Sequence, residues 1–195
     1  DDLTGLSSKL IPLFPEYPKA RLELRTKTTT VENLLNIEPA DNIVVSWTFS
    51  PQIIIDNHEH KAPSLEERLR AAVDVQNAGY IVGICLDPII LCDGWFDHYK
   101  TMLEKIIERL DMEGIKFISL GGFRYLPSLS KVIKERDPQT NLLLSEFVPC
   151  VDGKHRYFRP IRVEAYKEIG TVIRELNKDV KISLCMETPE VWNSV

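Results

Sequence analysis

Five short runs of apolar, largely β-branched residues recur along the chain: RLELRTK (21–27), NIVVSWTF (42–49), YIVGICL (80–86), GIKFISLG (114–121) and KISLCME (181–187). Runs of this length read as buried strands. Between most of them the apolar spacing changes to every third or fourth residue, the period of a helix with one dry face. The clearest case spans Leu65 to Asn77, where Leu65, Leu69, Ala72, Val73 and Gln76 share a stripe. Ser64 and Glu67 have the spacing of a capping box there, and Gly79 supplies the stop. Trp95 to Leu110 repeats the pattern with Phe96, Tyr99, Met102, Leu103, Ile106, Ile107 and Leu110, and Val163, Tyr166, Ile169, Ile173 and Leu176 build a third stripe. Thr188 and Pro189 read as the cap and first residue of a short last helix. Residues 1–18 read as a helix already under way, so the chain is expected to be a segment of a larger protein.

Strands alternating with helices imply a parallel sheet with right-handed crossovers, either a barrel or a doubly wound sheet. The residues just past each apolar run help to separate the two: Lys27, Thr48 with Ser50, Asp87, Gly121 to Arg124, and Glu187. Five polar strand ends in succession fit a ring of ligands at a barrel mouth better than a single crevice. No repeat or Gly/Ser linker divides the chain. The expected fold is therefore α/β, a partial parallel (β/α) barrel, with residues 1–195 forming one domain, the C-terminal part of a larger barrel enzyme.

Composition narrows the function more than the fold. The chain is 44% hydrophobic and 27% charged over 195 residues, and no apolar run approaches the roughly 20 residues of a membrane helix. A net charge of -5 argues against a generally basic nucleic-acid-binding surface but allows a local basic patch. The four cysteines, Cys85, Cys92, Cys150 and Cys185, form no CxxC or CxxxCxxC pattern, so neither a zinc nor an iron-sulfur site is read from their spacing. Free buried thiols without a leader peptide point to a reducing, cytoplasmic setting.

Four places carry candidate chemistry. Lys27 at a strand end can reach a carboxylate or phosphate in a barrel mouth, or stay a solvated lysine. Asp87, between an apolar strand and Pro88, can hold a ribose hydroxyl or a substrate amine, or cap a loop. The segment Asn57 to His60 contains an HxH spacing, but it lies in a loop, where capping and loop hydrogen bonds are the simpler reading. The stretch DGKHRYFRPIR (152–162) interleaves Lys154, Arg156, Arg159 and Arg162 with Tyr157 and Phe158. Cations alternating with aromatics suit a phosphate beside a stacked base, and the Asp-Gly turn suits a hairpin that projects those side chains outward.

Taken in order, VSWTFSPQIII, NHEHKAPSLEERLRAAVDVQNAGY, GICLDPII, DGW with Tyr99, LGGFRY, DGKHRYFRP and LCMETPEVW resemble the spore photoproduct lyase family of radical S-adenosylmethionine enzymes. The resemblance implies a partial barrel of the radical S-adenosylmethionine type, binding S-adenosylmethionine and a [4Fe-4S] cluster at the rim. It implies repair of thymine-dimer DNA lesions by radical hydrogen abstraction. Lys27 then matches a lysine near the cofactor carboxylate, and Thr48 stands where the family usually has a serine; Asp87, from its strand-end position, is expected to join them at the cofactor. Residues 146–162 match a substrate-side hairpin, with Lys154 and Arg156 on the substrate and Tyr157 as the catalytic tyrosine, and Arg124, from its own strand end, is expected beside them. The implied cluster cysteines and the hydrogen-donating cysteine fall upstream of this sequence, so the chain alone is expected to be inactive. The alternatives are a non-catalytic nucleic-acid-binding module, a radical S-adenosylmethionine relative with another substrate, and a metal-dependent barrel hydrolase using His58 and His60.

Overall fold

The computed structural model describes residues 4–195. The chain opens with α1 (Leu6–Leu10), a 3-10 turn (Ile11–Glu16), β1 (Leu22–Thr26), α2 (Glu32–Leu35), β2 (Ile43–Thr48), α3 (Gln52–His58) and α4 (Leu65–Asn77). It continues through β3 (Ile81–Ile89), α5 (Trp95–Arg109), a second 3-10 turn (Met112–Gly114), β4 (Ile115–Gly122), β5 (Arg124–Tyr125) and α6 (Pro127–Arg136). It closes with β6 (Phe147–Pro149), β7 (His155–Tyr157), α7 (Arg159–Leu176), β8 (Ile182–Leu184) and α8 (Pro189–Trp192). Strands β1, β2, β3, β4 and β8 form one sheet in that order, with every neighbouring pair parallel. This is the α/β, partial parallel barrel arrangement that the alternation of strands and helices implied.

The two faces of the sheet differ in chemistry because side chains alternate along a strand. Ile43, Val45 and Trp47 of β2, Val82, Ile84 and Leu86 of β3, and Ile118 and Leu120 of β4 join the main core with the buried stripes of α4, α5 and α7. The register places the other set side by side on the opposite, inner face: Arg25 beside Ser46, Ser46 beside Gly83, Thr48 beside Cys85, and Cys85, Ser119 and Ser183 in a row. Small and polar residues predominate on this face, with Val44 and Phe117 among them. A Cβ at Gly83 would come within 2.8 Å of the Phe117 ring and 2.9 Å of Ser46, so only glycine lets those neighbours meet over β3.

Beyond the C-terminal end of β4 the chain turns into a second, antiparallel sheet in the order β5-β7-β6. A smaller core of Ile54, Ile90, Phe123 and Tyr157 holds it down, with Phe147 stacked on Tyr157 at 4.6 Å. Strands β6 and β7 form a hairpin whose turn carries Asp152 and Gly153, the glycine at φ 77.

The capping box of α4 is present in both halves, with Glu67 N–H donating to Ser64 Oγ and Ser64 N–H donating to Glu67 Oε2. Elsewhere the pattern misled. The opening helix stops at Leu10 because Pro12 and Pro15 force a 3-10 turn; residues 1–3 of that reading lie outside the described residues. Strand β3 runs on to Ile89 through a register shift at residues 87–88, and β8 ends at Leu184, where Cys185 to Glu187 turn away with Met186 at φ 54. Helix α6 was not foreseen, since it is short and buries none of its residues.

Candidate active site

The C-terminal ends of the parallel strands carry a ring of acid-base couples, each closed by residues from different elements. At the first, Glu59 lies just past α3 and accepts from three donors: Lys27 Nζ at 2.8 Å, Ser50 Oγ at 2.7 Å and Arg68 Nη2 at 2.5 Å. Arg68 belongs to the buried stripe of α4 and is fully shielded from solvent. Its remaining donors reach the Thr48 and Pro63 carbonyls at 3.1 and 2.9 Å. Burial pushes the Glu59 carboxyl up, but the hydrogen bonds from Lys27, Ser50 and Arg68 outweigh it and hold the group below its ordinary value. Glu59 is therefore a fixed anion that pins the Lys27 ammonium at the mouth.

The second couple is Asp87 with Arg124, a two-pronged contact at 2.8 and 3.1 Å. Asp87 sits at the β3 register shift, a local irregularity of the kind that re-aims a side chain. Arg124 also donates to the Gly122 carbonyl and lies 3.6 Å from Cys185 Sγ. A Cβ at Gly121 would stand 2.7 Å from the Asp87 carboxyl, so this glycine leaves the room in which the carboxylate lies across β4.

The third couple is nearly dry. Arg162 of α7 meets Glu187 at 3.0 and 3.3 Å, with side chains only 5% and 2% exposed. Tyr166 donates its hydroxyl to Glu187 at 2.7 Å and accepts from the Gly122 N–H at 2.7 Å. Arg162 also donates to the Tyr157 carbonyl, tying α7 to the hairpin. Burial first, and then the Glu187 charge, push the Tyr166 hydroxyl above the ordinary tyrosine value.

On the hairpin, Arg156 forks onto Asp152 at 2.7 and 2.8 Å and donates to the Met186 carbonyl, while Lys154 stands 3.5 Å from the same carboxylate. The Arg156 contact holds the Asp152 carboxyl well below the usual carboxylate range.

The structure thus brings Lys27, Thr48, Asp87 and Arg124 near the ends of the parallel strands: Lys27 pairs with Glu59 and Asp87 with Arg124, while Thr48 offers its backbone carbonyl to Arg68. The outward projection expected for the 146–162 hairpin is corrected: it ends at Tyr157, with Arg159 and Arg162 on α7, and Arg156 and Tyr157 are buried because β7 packs against the smaller core as well as pairing with β5 and β6. Tyr157 is 2% exposed, and its hydroxyl accepts from the Leu91 N–H at 3.1 Å. Tyr157 thus packs in the smaller core and holds the 90–92 loop. Burial pushes its hydroxyl up to about 12. His58 and His60 gain no further ligand: among the described residues no group of three His, Cys, Asp or Glu side chains is placed to hold a metal ion.

Glu59, Arg68 and Tyr166 escaped sequence reasoning as site residues, while Glu187 and Arg162 were singled out without their pairing. A signal was present for Arg68, which falls on the apolar stripe of α4, where a cation requires a buried partner.

Cys85 faces the inner sheet surface with no exposure, and burial pushes its thiol up to about 11. Iodoacetamide at about pH 8 is expected to spare Cys85 in the native chain while modifying half-buried Cys92, Cys150 and Cys185, and to reach Cys85 only in urea. Native labelling of Cys85 at the rate of the others, read by peptide mass spectrometry, would show that β3 opens.

Residues 1–168 match the family model for spore photoproduct lyase. The chain belongs to the spore photoproduct lyase family. Among curated relatives, the spore photoproduct lyases of Geobacillus sp. and Bacillus subtilis are 29% identical over 149 residues and 28% over 148. Each alignment covers 75% of this chain and 43% of the relative. The Clostridium acetobutylicum lyase is 25% identical over 143 residues, or 73% of this chain and 42% of its own length. The chain thus spans less than half the length of the curated relatives it matches. A solved spore photoproduct lyase variant with bound AdoMet and dinucleoside spore photoproduct superimposes with a TM-score of 0.82 at 22% identity. A second, complexed with dinucleoside spore photoproduct, gives 0.83 at 23%. Each covers 94% of this chain and 56% of the solved one, which establishes the shared fold.

Proposed function

We propose that this spore photoproduct lyase family chain forms the S-adenosylmethionine-binding and lesion-binding part of a cytoplasmic radical lyase that repairs thymine-dimer lesions in DNA. The observation that carries the reading is the ring of charged and hydroxyl groups at the ends of the parallel strands, beside a cationic hairpin. Solved family members described with AdoMet and dinucleoside spore photoproduct support the same ligands. The four free thiols support a reducing compartment.

The donor set fits the cofactor. S-adenosylmethionine presents a carboxylate, an ammonium, a sulfonium and a ribose diol. The Lys27 ammonium, about a third exposed, suits the carboxylate; the Thr48 hydroxyl and the Asp87 carboxylate suit the amino or ribose groups. Glu59 keeps Lys27 aimed at the mouth, and Arg124 holds Asp87 in one orientation. S-adenosylmethionine held by these residues would supply the hydrogen-abstracting chemistry of the reaction once an electron donor outside this chain reduced it. The cysteines of this chain do not fit a [4Fe-4S] cluster, since they make no group of three among the described residues, and no step is assigned to a cluster on them. Lys154, the more exposed hairpin cation, is assigned to a phosphate oxygen of the lesion strand in exchange for Asp152, and Arg156 is assigned to holding the hairpin turn beside it. Tyr157 is assigned to positioning the hairpin.

Calorimetric titration of S-adenosylmethionine into the chain is expected to show one saturable site, weakened about tenfold or more by Asp87→Asn or Lys27→Ala. In the natural protein carrying this sequence, prepared anaerobically, dinucleoside spore photoproduct should be consumed. A chain that binds no cofactor would remove the cofactor assignment; cofactor binding without turnover would favour a nucleic-acid-binding module or a different substrate.

A further inference from the structure

Beside the rim, an open groove of about 560 Å³ runs between α6 and the hairpin and is continuous with the ring through Asp87 and Arg124. Leu126, Leu129 and Val132 form one wall and are 51%, 43% and 37% exposed, an apolar face that no element of the described chain covers. The opposite side is rigid: Phe123 and Tyr125 stack at 5.6 Å, and Tyr125 and His155 at 5.4 Å. Lys154 stands at the margin, and its contact with Asp152 is the loosest of the site's ion pairs. Asp87 is neutralised by Arg124, so the unspent charge at the groove is positive.

Resting on the proposed lesion-binding function, we infer that this groove is a subsite for the nucleotide flanking the lesion. Its base lies in the apolar slot and its phosphate is met by Lys154. The volume lies within the range of small-ligand sites, and flat apolar walls take a planar base of any sequence. One cation at the margin complements one phosphate, and continuity with the rim places the neighbouring nucleotide where the strand must leave the site. Leu129 and Val132 lie on the exposed side of α6, none of whose side chains is fully buried, so they can be changed without disturbing the core.

The natural enzyme should bind a single-stranded tetranucleotide carrying the lesion centrally about tenfold more tightly than the dinucleoside lesion, since one buried base supplies a gain of this order. Its affinity should also fall more steeply with salt, by about 0.7 in logarithmic slope per added phosphate contact. The double variant Leu129→Glu with Val132→Glu should bring the affinity ratio to near one while leaving dinucleoside turnover and the melting temperature unchanged. Leu129→Ala should give an intermediate ratio. A wild-type ratio near one, or a ratio that survives the double variant, overturns the subsite. A variant that changes oligomeric state by light scattering and keeps the ratio assigns the groove to a second copy of the chain instead. If neither protein binds or consumes the dinucleoside, the proposed function itself falls, and this inference with it.

Discussion

Glu59→Gln is expected to destabilise the chain by about 3–5 kcal/mol, a fall in melting temperature of roughly 10 °C, which makes it among the most damaging single-atom-group changes in the molecule. The reason lies in Arg68. Its guanidinium has no exposure, and Glu59 is the one carboxylate that meets it among the described residues. Removing the charge leaves a buried cation with only neutral acceptors, the Thr48 and Pro63 carbonyls and the new amide oxygen. Adding Arg68→Met should recover most of the loss, because an apolar side chain of similar volume needs no counter-ion. The coupling between the two changes, measured in a double-mutant cycle by denaturant unfolding, should amount to several kcal/mol; additive effects would show that the pair does not interact in solution. The pH dependence follows the same logic. Glu59 has a folded value below its unfolded one, so its contribution is full above the ordinary glutamate range and is lost as pH falls through the folded value. In Glu59→Gln that acid-side loss should be shallower. Lys27 would also lose its anchor, so cofactor affinity should fall together with stability.

Arg162→Met should cost a similar amount, about 3–5 kcal/mol, through the opposite imbalance. Glu187 is 2% exposed and would keep only the Tyr166 hydroxyl as partner. The Tyr157 carbonyl would lose its donor as well, so the hairpin should loosen, and amide exchange in β7 should quicken more than in β3. Equal acceleration in both strands would point to global unfolding alone. Tyr166 adds an alkaline signature. Its folded value is raised, so its contribution is complete below the unfolded tyrosine value of about 10 and declines as pH rises above it. Tyr166→Phe should flatten that decline, as read from melting temperatures across an alkaline series.

These couples also explain which parts of the site could be read early. Lys27, Thr48, Asp87 and Arg124 were proposed for the site because each follows an apolar run, and the end of a parallel strand is a place that the local pattern marks. Tyr157 was misplaced because alternating cations and aromatics look alike on a free hairpin and on one packed against a core. The presence of Ile54, Ile90 and Phe123 beneath it depends on three other segments. Helix α6 left little trace because Leu129 and Val132 face a groove and only Ile133 packs against the smaller core, so its pattern lacks the burial that makes a stripe recognisable.

The sequence by itself determined the alternation of strands and helices, the parallel sheet and the polar character of the strand ends. Those depend on periodicities of two and 3.6 residues, within reach of a single segment. Only the tertiary structure decided which charges meet: Asp87 with Arg124 across 37 residues of chain, Arg162 with Glu187 across 25, and Glu59 with both Lys27 and Arg68. Partner choice is a matter of a few ångströms and of local burial. Both are set by how the strands and loops stack rather than by any spacing along the chain.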